Sequence, residues 1–288
     1  MKVLLLGVIY KGVEKFLDDY FCSIDKQTYN NFDTLIIEDE FKLPVKYFRD
    51  RLICIEVVNK SIAEIRSIGI NYAKTNNYDL IIFTDCDDFY SPNRVEIIVY
   101  LIINSDFVVN RIIPVDSFGK TLELQSNIDT NFYNKLSFNG IIEKNYFGLS
   151  NTAIKVNSLP IDFYLPKDII AVDWWLYSFM LVNKRIFQYS DKAFTYYRQH
   201  TSNLVGAIND LDEKKLINGL NIKLIHYKYL AEYLMKFGKE YEFELLSIIS
   251  IYDDLKTKLL DKDFLRSYLL KKEKLSKKVF DGWWGDIN

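Results

Sequence analysis

Residues 80–95, LIIFTDCDDFYSPNRV, decide how the rest of the chain is read. Leu80 through Phe83 form an uninterrupted apolar run, as in a short strand covered on both faces. That run delivers the chain into Thr84-Asp85-Cys86-Asp87-Asp88. Side chains alternate along an extended segment, so Asp85 and Asp87 are expected on one side, where two carboxylates suit a divalent cation and a sugar hydroxyl. A solvated acidic turn at a strand end would read the same way. Ser91-Pro92 has the form of a helix cap followed by a first-turn proline, with Val95, Ile98, Val99 and Ile102 on one face of the helix it opens.

Upstream the pattern repeats. Residues 3–9 are a near-continuous apolar run, and Val13, Phe16, Leu17, Tyr20 and Ile24 fall at amphipathic helical spacing. Residues 35–37 read as a second buried strand that ends in Glu38-Asp39-Glu40. Residues 52–58 give a third strand, and Ser61-Ile62-Ala63-Glu64 has the form of a capping box opening a helix to about Thr75. Such strand–helix alternation predicts an α/β fold, a doubly wound and mostly parallel sheet. Ligands of such sheets bind beyond the carboxyl ends of the strands, and both acidic clusters fall there. Neither G-x-G-x-x-G nor G-x-x-x-x-G-K-[ST] occurs, which argues against dinucleotide and P-loop enzymes.

Downstream, residues 106–198 are less regular, with short strands expected at 107–113 and 194–197 and a helix around 174–181. Beyond Asn209 the periodicity becomes helical, which divides the chain into an α/β domain, 1–208, and a helical extension, 209–288. Residues 256–278 hold nine Lys/Arg against three acids. They read either as a solvated face or as a patch for anionic lipid or a partner. Trp283-Trp284 would anchor at a membrane interface or clamp the tail onto the domain.

Composition narrows the function. With 37 Lys+Arg against 39 Asp+Glu there is no overall field to hold nucleic acid. Three scattered cysteines and two histidines fit a reducing, cytoplasmic setting and disfavour a Cys/His zinc site, so a metal would be held chiefly by oxygens. The first strand is too short and too charged at its ends to read as a signal peptide, and the longest uncharged run, 199–209, falls well short of a membrane span.

Four segments together carry a resemblance: VLLLGVIYKGVEKFLDDYFCSIDKQTY, LIIEDE, IAEIRSIGINYA and LIIFTDCDDFYSPNRV. In order and spacing they resemble the nucleotide-sugar half of family 2 glycosyltransferases with the GT-A fold, over roughly residues 1–205. By position the resemblance implies that Asp39 contacts the nucleotide base, with Tyr10 beside it. Asp85 and Asp87 match the DxD pair for ribose and for metal-diphosphate contact, and Arg66 matches the arginine of the following helix. The glycine usual after the second strand's acids is absent from Glu38-Asp39-Glu40. AVDWWLYSF is similar to the motif bearing the catalytic base, and the resemblance implies that Asp173 is that base; the residue spacing alone favours a helix cap. YYRQH is similar to the arginine-x-histidine segment, in which Arg198 would neutralise phosphate and His200 would complete a cation's coordination. A lone histidine is also commonly just a satisfied polar residue.

The implied activity is inverting transfer of a sugar from a nucleoside-diphosphate donor, a UDP-sugar first among them, to a hydroxyl of a glycan or lipid-linked glycan, with Mg²⁺ or Mn²⁺ as cofactor. The competing readings are a metal-dependent nucleotidyltransferase and a non-catalytic nucleotide-sugar-binding module.

Overall fold

Alternate residues of the first strand belong to different cores: Val3, Leu5 and Ile9 pack in one cluster, Leu4, Leu6 and Val8 in the other. A strand covered on both faces therefore has no polar side, which is why the run is continuous in sequence. The computed structural model describes residues 1–123, 125–126, 128–200, 212–237, 242–275, 279–280 and 283. The elements of the first half are β1 (Val3–Tyr10), α1 (Leu17–Asp25), β2 (Phe32–Asp39), β3 (Leu52–Val57), α2 (Ile62–Thr75), β4 (Leu80–Phe83), β5 (Phe89–Tyr90) and α3 (Arg94–Leu101). They continue with β6 (Phe107–Val115), β7 (Gln125–Ser126), α4 (Thr130–Lys135), α5 (Phe138–Ile141), β8 (Thr152–Lys155), α6 (Val172–Val182) and β9 (Phe187–Arg198). The chain ends in α7 (Glu213–Phe237), α8 (Glu242–Lys258), α9 (Lys262–Leu275) and β10 (Val279–Phe280).

The main sheet runs β3-β2-β1-β4-β8-β6-β9-β5. The first four strands are parallel, β8 is antiparallel to both its neighbours, and β6 and β9 are parallel. Strand order reverses between β1 and β4, the topological switch point at which open α/β sheets bind ligands. There the register leaves β1 overhanging: Leu6 pairs with Phe83, the last residue of β4, while Tyr10 at the end of β1 pairs with Asp39 at the end of β2. The acidic segment after β4 thus lies alongside the last turn of β1.

The capping box forms as expected: Ser61 Oγ accepts from Glu64 N, and the Glu64 carboxylate accepts from Ser61 N. Two local expectations change. Asn93, not Ser91, precedes α3; Ser91 Oγ instead donates to Asn93 Oδ1 and accepts from Phe194 N, tying β9 to the start of the helix. The segment after β4 is not extended, because Asp88 N donates to Asp85 O and closes a turn.

Helices α7–α9 contribute Leu216, Leu220, Tyr227, Leu245 and Leu265 to the same cluster as Leu4, Leu6 and α6. The boundary expected at 208/209 lies outside the described residues. No described helix is long and apolar enough to cross a membrane.

Candidate active site

The chain leaves β4 at Phe83 and Thr84 N still bonds to Leu6 O, so the turn that follows sits where β1 continues past its neighbour. Gly7 permits the approach: a Cβ there would meet Cys86 Sγ at 2.9 Å. Below the turn, Tyr90 OH accepts from Asp85 N at 2.9 Å and lies 3.1 Å from Ser150 Oγ. Ser150 in turn donates to Asp88, a buried carboxylate that also accepts from Arg198 N at 2.8 Å. Arg94, also buried, spans the same floor through bonds to Phe83 O and Ser150 O. With both ends and the floor fixed, the two remaining carboxylates are presented outward.

They open into a cavity of about 420 Å³. Tyr10, Asp39, Arg66, Asp85, Asp87 and Asp173 all line it, so six of the eight residues expected from sequence converge there. The turn, rather than an extended alternation, is what brings Asp85 and Asp87 to one wall. Arg66 Nη2 donates to Asp85 Oδ1 at 2.6 Å, while its Nη1 is buried without a partner among the described residues. A buried guanidinium nitrogen facing a cavity is a donor waiting for an acceptor on a ligand. Burial and the Asp87 charge raise the Asp85 carboxyl, against the opposing pull of Arg66.

Of the three acids after β2 only Asp39 reaches the cavity. Glu38 is buried and accepts from Leu43 N, and Glu40 accepts from Asn59 N. Glu40 takes φ 52°, the left-handed conformation that favours glycine, at the position where the resemblance leads one to expect glycine. Burial and Glu40 raise the Asp39 carboxyl.

Asp173 is the second residue of α6. Ala171 precedes the helix, and Asp173 Oδ1 accepts from Trp174 N at 2.7 Å. It is therefore not the cap. Burial lifts its carboxyl to about 7, with Asp85 adding to the shift and the Trp174 amide and Arg66 opposing it. The adjacent Trp174 and Trp175 are fully buried, their indole nitrogens donating to Ile141 O and Tyr164 O.

Arg198 and His200 are not among the residues that line the cavity. Arg198 is 1% exposed; Nε donates to Asp87 O, Nη1 to Ser117 O and Nη2 to Asp19 Oδ2, and its guanidinium lies 4.6 Å from the Phe16 ring centroid. It grips the backbone of the acidic turn through Asp87 O. His200 Nε2 lies 2.8 Å from Asp87 Oδ2, and Tyr10 OH is 3.5 Å from the same oxygen. A carboxylate and an imidazole converging this closely suit a divalent cation. Among the described residues no group of three His/Cys/Asp/Glu side chains forms a cage, so water and substrate oxygens would complete the shell.

Sequence reasoning did not assign Ser150, Tyr90, Arg94 or Asp88. The last two carried a signal: an arginine and an aspartate on apolar, buried elements need partners.

The chain is similar in structure to TarS of S. aureus, with 14% identity, a TM-score of 0.55, and coverage of 79% of this chain and 40% of that one. The 1–349 portion of TarS, solved in complex with UDP-GlcNAc, gives 17% identity, a TM-score of 0.54, and coverage of 79% and 66%. Mannosyltransferase PcManGT from Pyrobaculum calidifontis, in complex with GDP-Man and Mn²⁺, gives 11%, 0.55, 80% and 64%. At these identities the likeness is one of fold, and the chain spans 40% of the length of TarS. No curated protein matches by sequence. The model of the family described as Glycosyl transferase family 2 matches residues 7–158, more than half the chain, from within β1 to beyond the end of β8. The chain belongs to glycosyl transferase family 2.

Proposed function

We propose that the protein transfers a sugar, with inversion, from a nucleoside-diphosphate donor to an acceptor hydroxyl. The observation that carries the reading is one cavity lined at once by a carboxyl held near 7, at Asp173, and by the Arg66–Asp85–Asp87 group at the switch point. Asp39 and Tyr10, paired at the ends of β2 and β1, would receive the base, and the unpartnered Arg66 Nη1 a donor oxygen. Asp173 takes the proton of the acceptor hydroxyl as that oxygen bonds to the anomeric carbon. The anomeric carbon–phosphate oxygen bond breaks on the opposite face, and its electron pair leaves with the nucleoside diphosphate. No covalent intermediate is needed. A Mg²⁺ or Mn²⁺ ion on Asp87 and His200 would supply charge neutralisation at the diphosphate. PcManGT was solved with Mn²⁺, which supports that cofactor class here.

A panel of UDP- and GDP-sugars in Mn²⁺, read by release of nucleoside diphosphate with and without glycan acceptors, tests the activity. Acceptor-dependent release from one donor, abolished by a chelator and by Asp87→Ala, is expected. Binding without release would indicate a binding module, and release of pyrophosphate from a nucleoside triphosphate and a sugar phosphate a nucleotidyltransferase.

A further inference from the structure

The C-terminal tail returns to the cavity. Trp283, 5% exposed, lines it, although eight residues earlier the chain was still in α9. Its backbone exchanges two hydrogen bonds with Asn145, at 3.0 and 2.7 Å, an isolated antiparallel bridge. Just before it, β10 pairs with β7, so two separate backbone contacts tie the tail to the catalytic half. The indole lies on Gly148: a Cβ there would meet Trp283 Cη2 at 3.0 Å and Cζ2 at 3.1 Å. Glycine is what leaves room for the ring.

The same glycine Cβ would also meet Asn151 Oδ1 at 3.1 Å. Asn151 is 1% exposed and lines the cavity; its Nδ2 donates to Asn110 O, and among the described residues its Oδ1 has no partner. A buried carbonyl oxygen without a donor is costly unless a ligand supplies one. Around these two the lining is uncharged, with Ser150, Thr195 and Tyr197, the Tyr197 ring 5.9 Å from that of Trp283. The charged residues of the cavity come from other elements: Asp39 at the end of β2, Asp85 and Asp87 after β4, Arg66 on α2 and Asp173 on α6. The lining thus combines charged groups suited to a diphosphate with aromatic faces and an acceptor atom.

We propose that Trp283 and Asn151 form the acceptor subsite, taking an uncharged sugar unit whose C–H face lies on the indole and one of whose hydroxyls donates to Asn151 Oδ1. This deepens the transferase reading and rests on it. The helical extension then belongs to the active site, since it carries the tail that supplies the platform.

The test is saturation-transfer NMR of the full chain with UDP or GDP and Mn²⁺, probed with methyl pyranosides and short glucose-, galactose- and N-acetylglucosamine-based oligosaccharides. Nucleotide affinity is measured in parallel by calorimetry. For Trp283→Ala, saccharide affinity should drop about tenfold or more with nucleotide affinity within about twofold of the parent. Trp283→Phe should retain saccharide contact, and Trp283→Leu, which fills the space without a π face, should lose it; this pair decides the matter if the alanine variant does not fold. Undiminished saccharide contact in the leucine variant overturns the subsite. So does equal loss of nucleotide binding, which would assign the tryptophan to the donor. If the parent binds nucleotide but no saccharide, the subsite fails and the donor reading stands; if the parent binds no nucleotide, the donor reading itself fails.

Discussion

A base that takes a proton in one step and returns it to solvent in the next works best when it titrates near the working pH, and burial brings Asp173 to about 7. Turnover should therefore rise with pH and level off above about 7, because only the carboxylate accepts a proton. Asp173→Asn should lower turnover about 10²-fold or more while leaving nucleotide affinity near that of the parent. The same shift makes a stability statement of determined sign. The unfolded chain releases this proton near the ordinary 3.8, the folded chain near 7, so between those values the folded state holds the extra proton. The group's stabilising contribution is complete below 3.8 and lost as pH rises through 7. Asn, which never ionises, should gain on the parent as pH climbs, so denaturant midpoints at pH 5 and pH 8 should show the variant relatively more stable at pH 8. A flat difference would mean that Asp173 is not buried as a charge. The sequence placed this residue at a helix start but left cap and base open; that Ala171 holds the cap position and that the Asp173 carboxyl lines a cavity are not local information.

At the scale of elements, those with strong periodicity were legible and those defined by their neighbours were not. β1 to β4, α2 and α6 come from apolar runs and a capping box that any reader of the sequence meets. β8 was missed because four residues between loops carry no period, and its insertion antiparallel between β4 and β6 is a tertiary choice. β9 was read only from Phe194, because the polar residues at 191 and 192 fall in a register break opposite Asn110 and Arg111. The α6–α7 contact was invisible for a similar reason, since its key residue, His226, resembles any other helical histidine. Its ring stacks on Trp174 at 4.1 Å and 14°, fully buried, and among the described residues neither ring nitrogen has a partner. Burial, assisted by Lys223, drives its pKa down to about 3. The unfolded chain takes up that proton near 6.5, so stability is lost as pH falls from 6.5 toward 3, opposite in sense to Asp173. His226→Phe keeps the stacked ring and removes two unsatisfied nitrogens. It should be neutral or stabilising by about 1 kcal/mol at pH 7 and should lessen the acid-side loss, as read from urea midpoints between pH 7 and 5.

Across the whole molecule the acidic turn is held by residues that lie far apart in sequence. One guanidinium, Arg198, reaches Asp19 on α1, the carbonyls of Asp87 and Ser117, and through its own backbone amide Asp88. The DxD motif could be read from a few adjacent letters, but its rigidity depends on the end of β9 meeting the N-terminal helix, a contact spanning 179 positions. The resemblance gives Arg198 a phosphate contact, and the fold gives it bonds that hold the turn. The two roles diverge under Arg198→Lys. Lysine keeps the charge, which is most of what an anion would require, but has no planar fork to satisfy two carbonyls and a carboxylate together. The clamp role demands a stability loss on the order of 3 kcal/mol from buried carbonyls left without donors, accompanied by weaker Mn²⁺-dependent nucleotide binding as the turn loosens. Urea unfolding and a UDP titration on the same sample measure both. A lysine variant with parental stability and parental nucleotide affinity would mean that only the charge at this position matters, and the turn would then owe its shape to Tyr90, Arg94 and Ser150 alone.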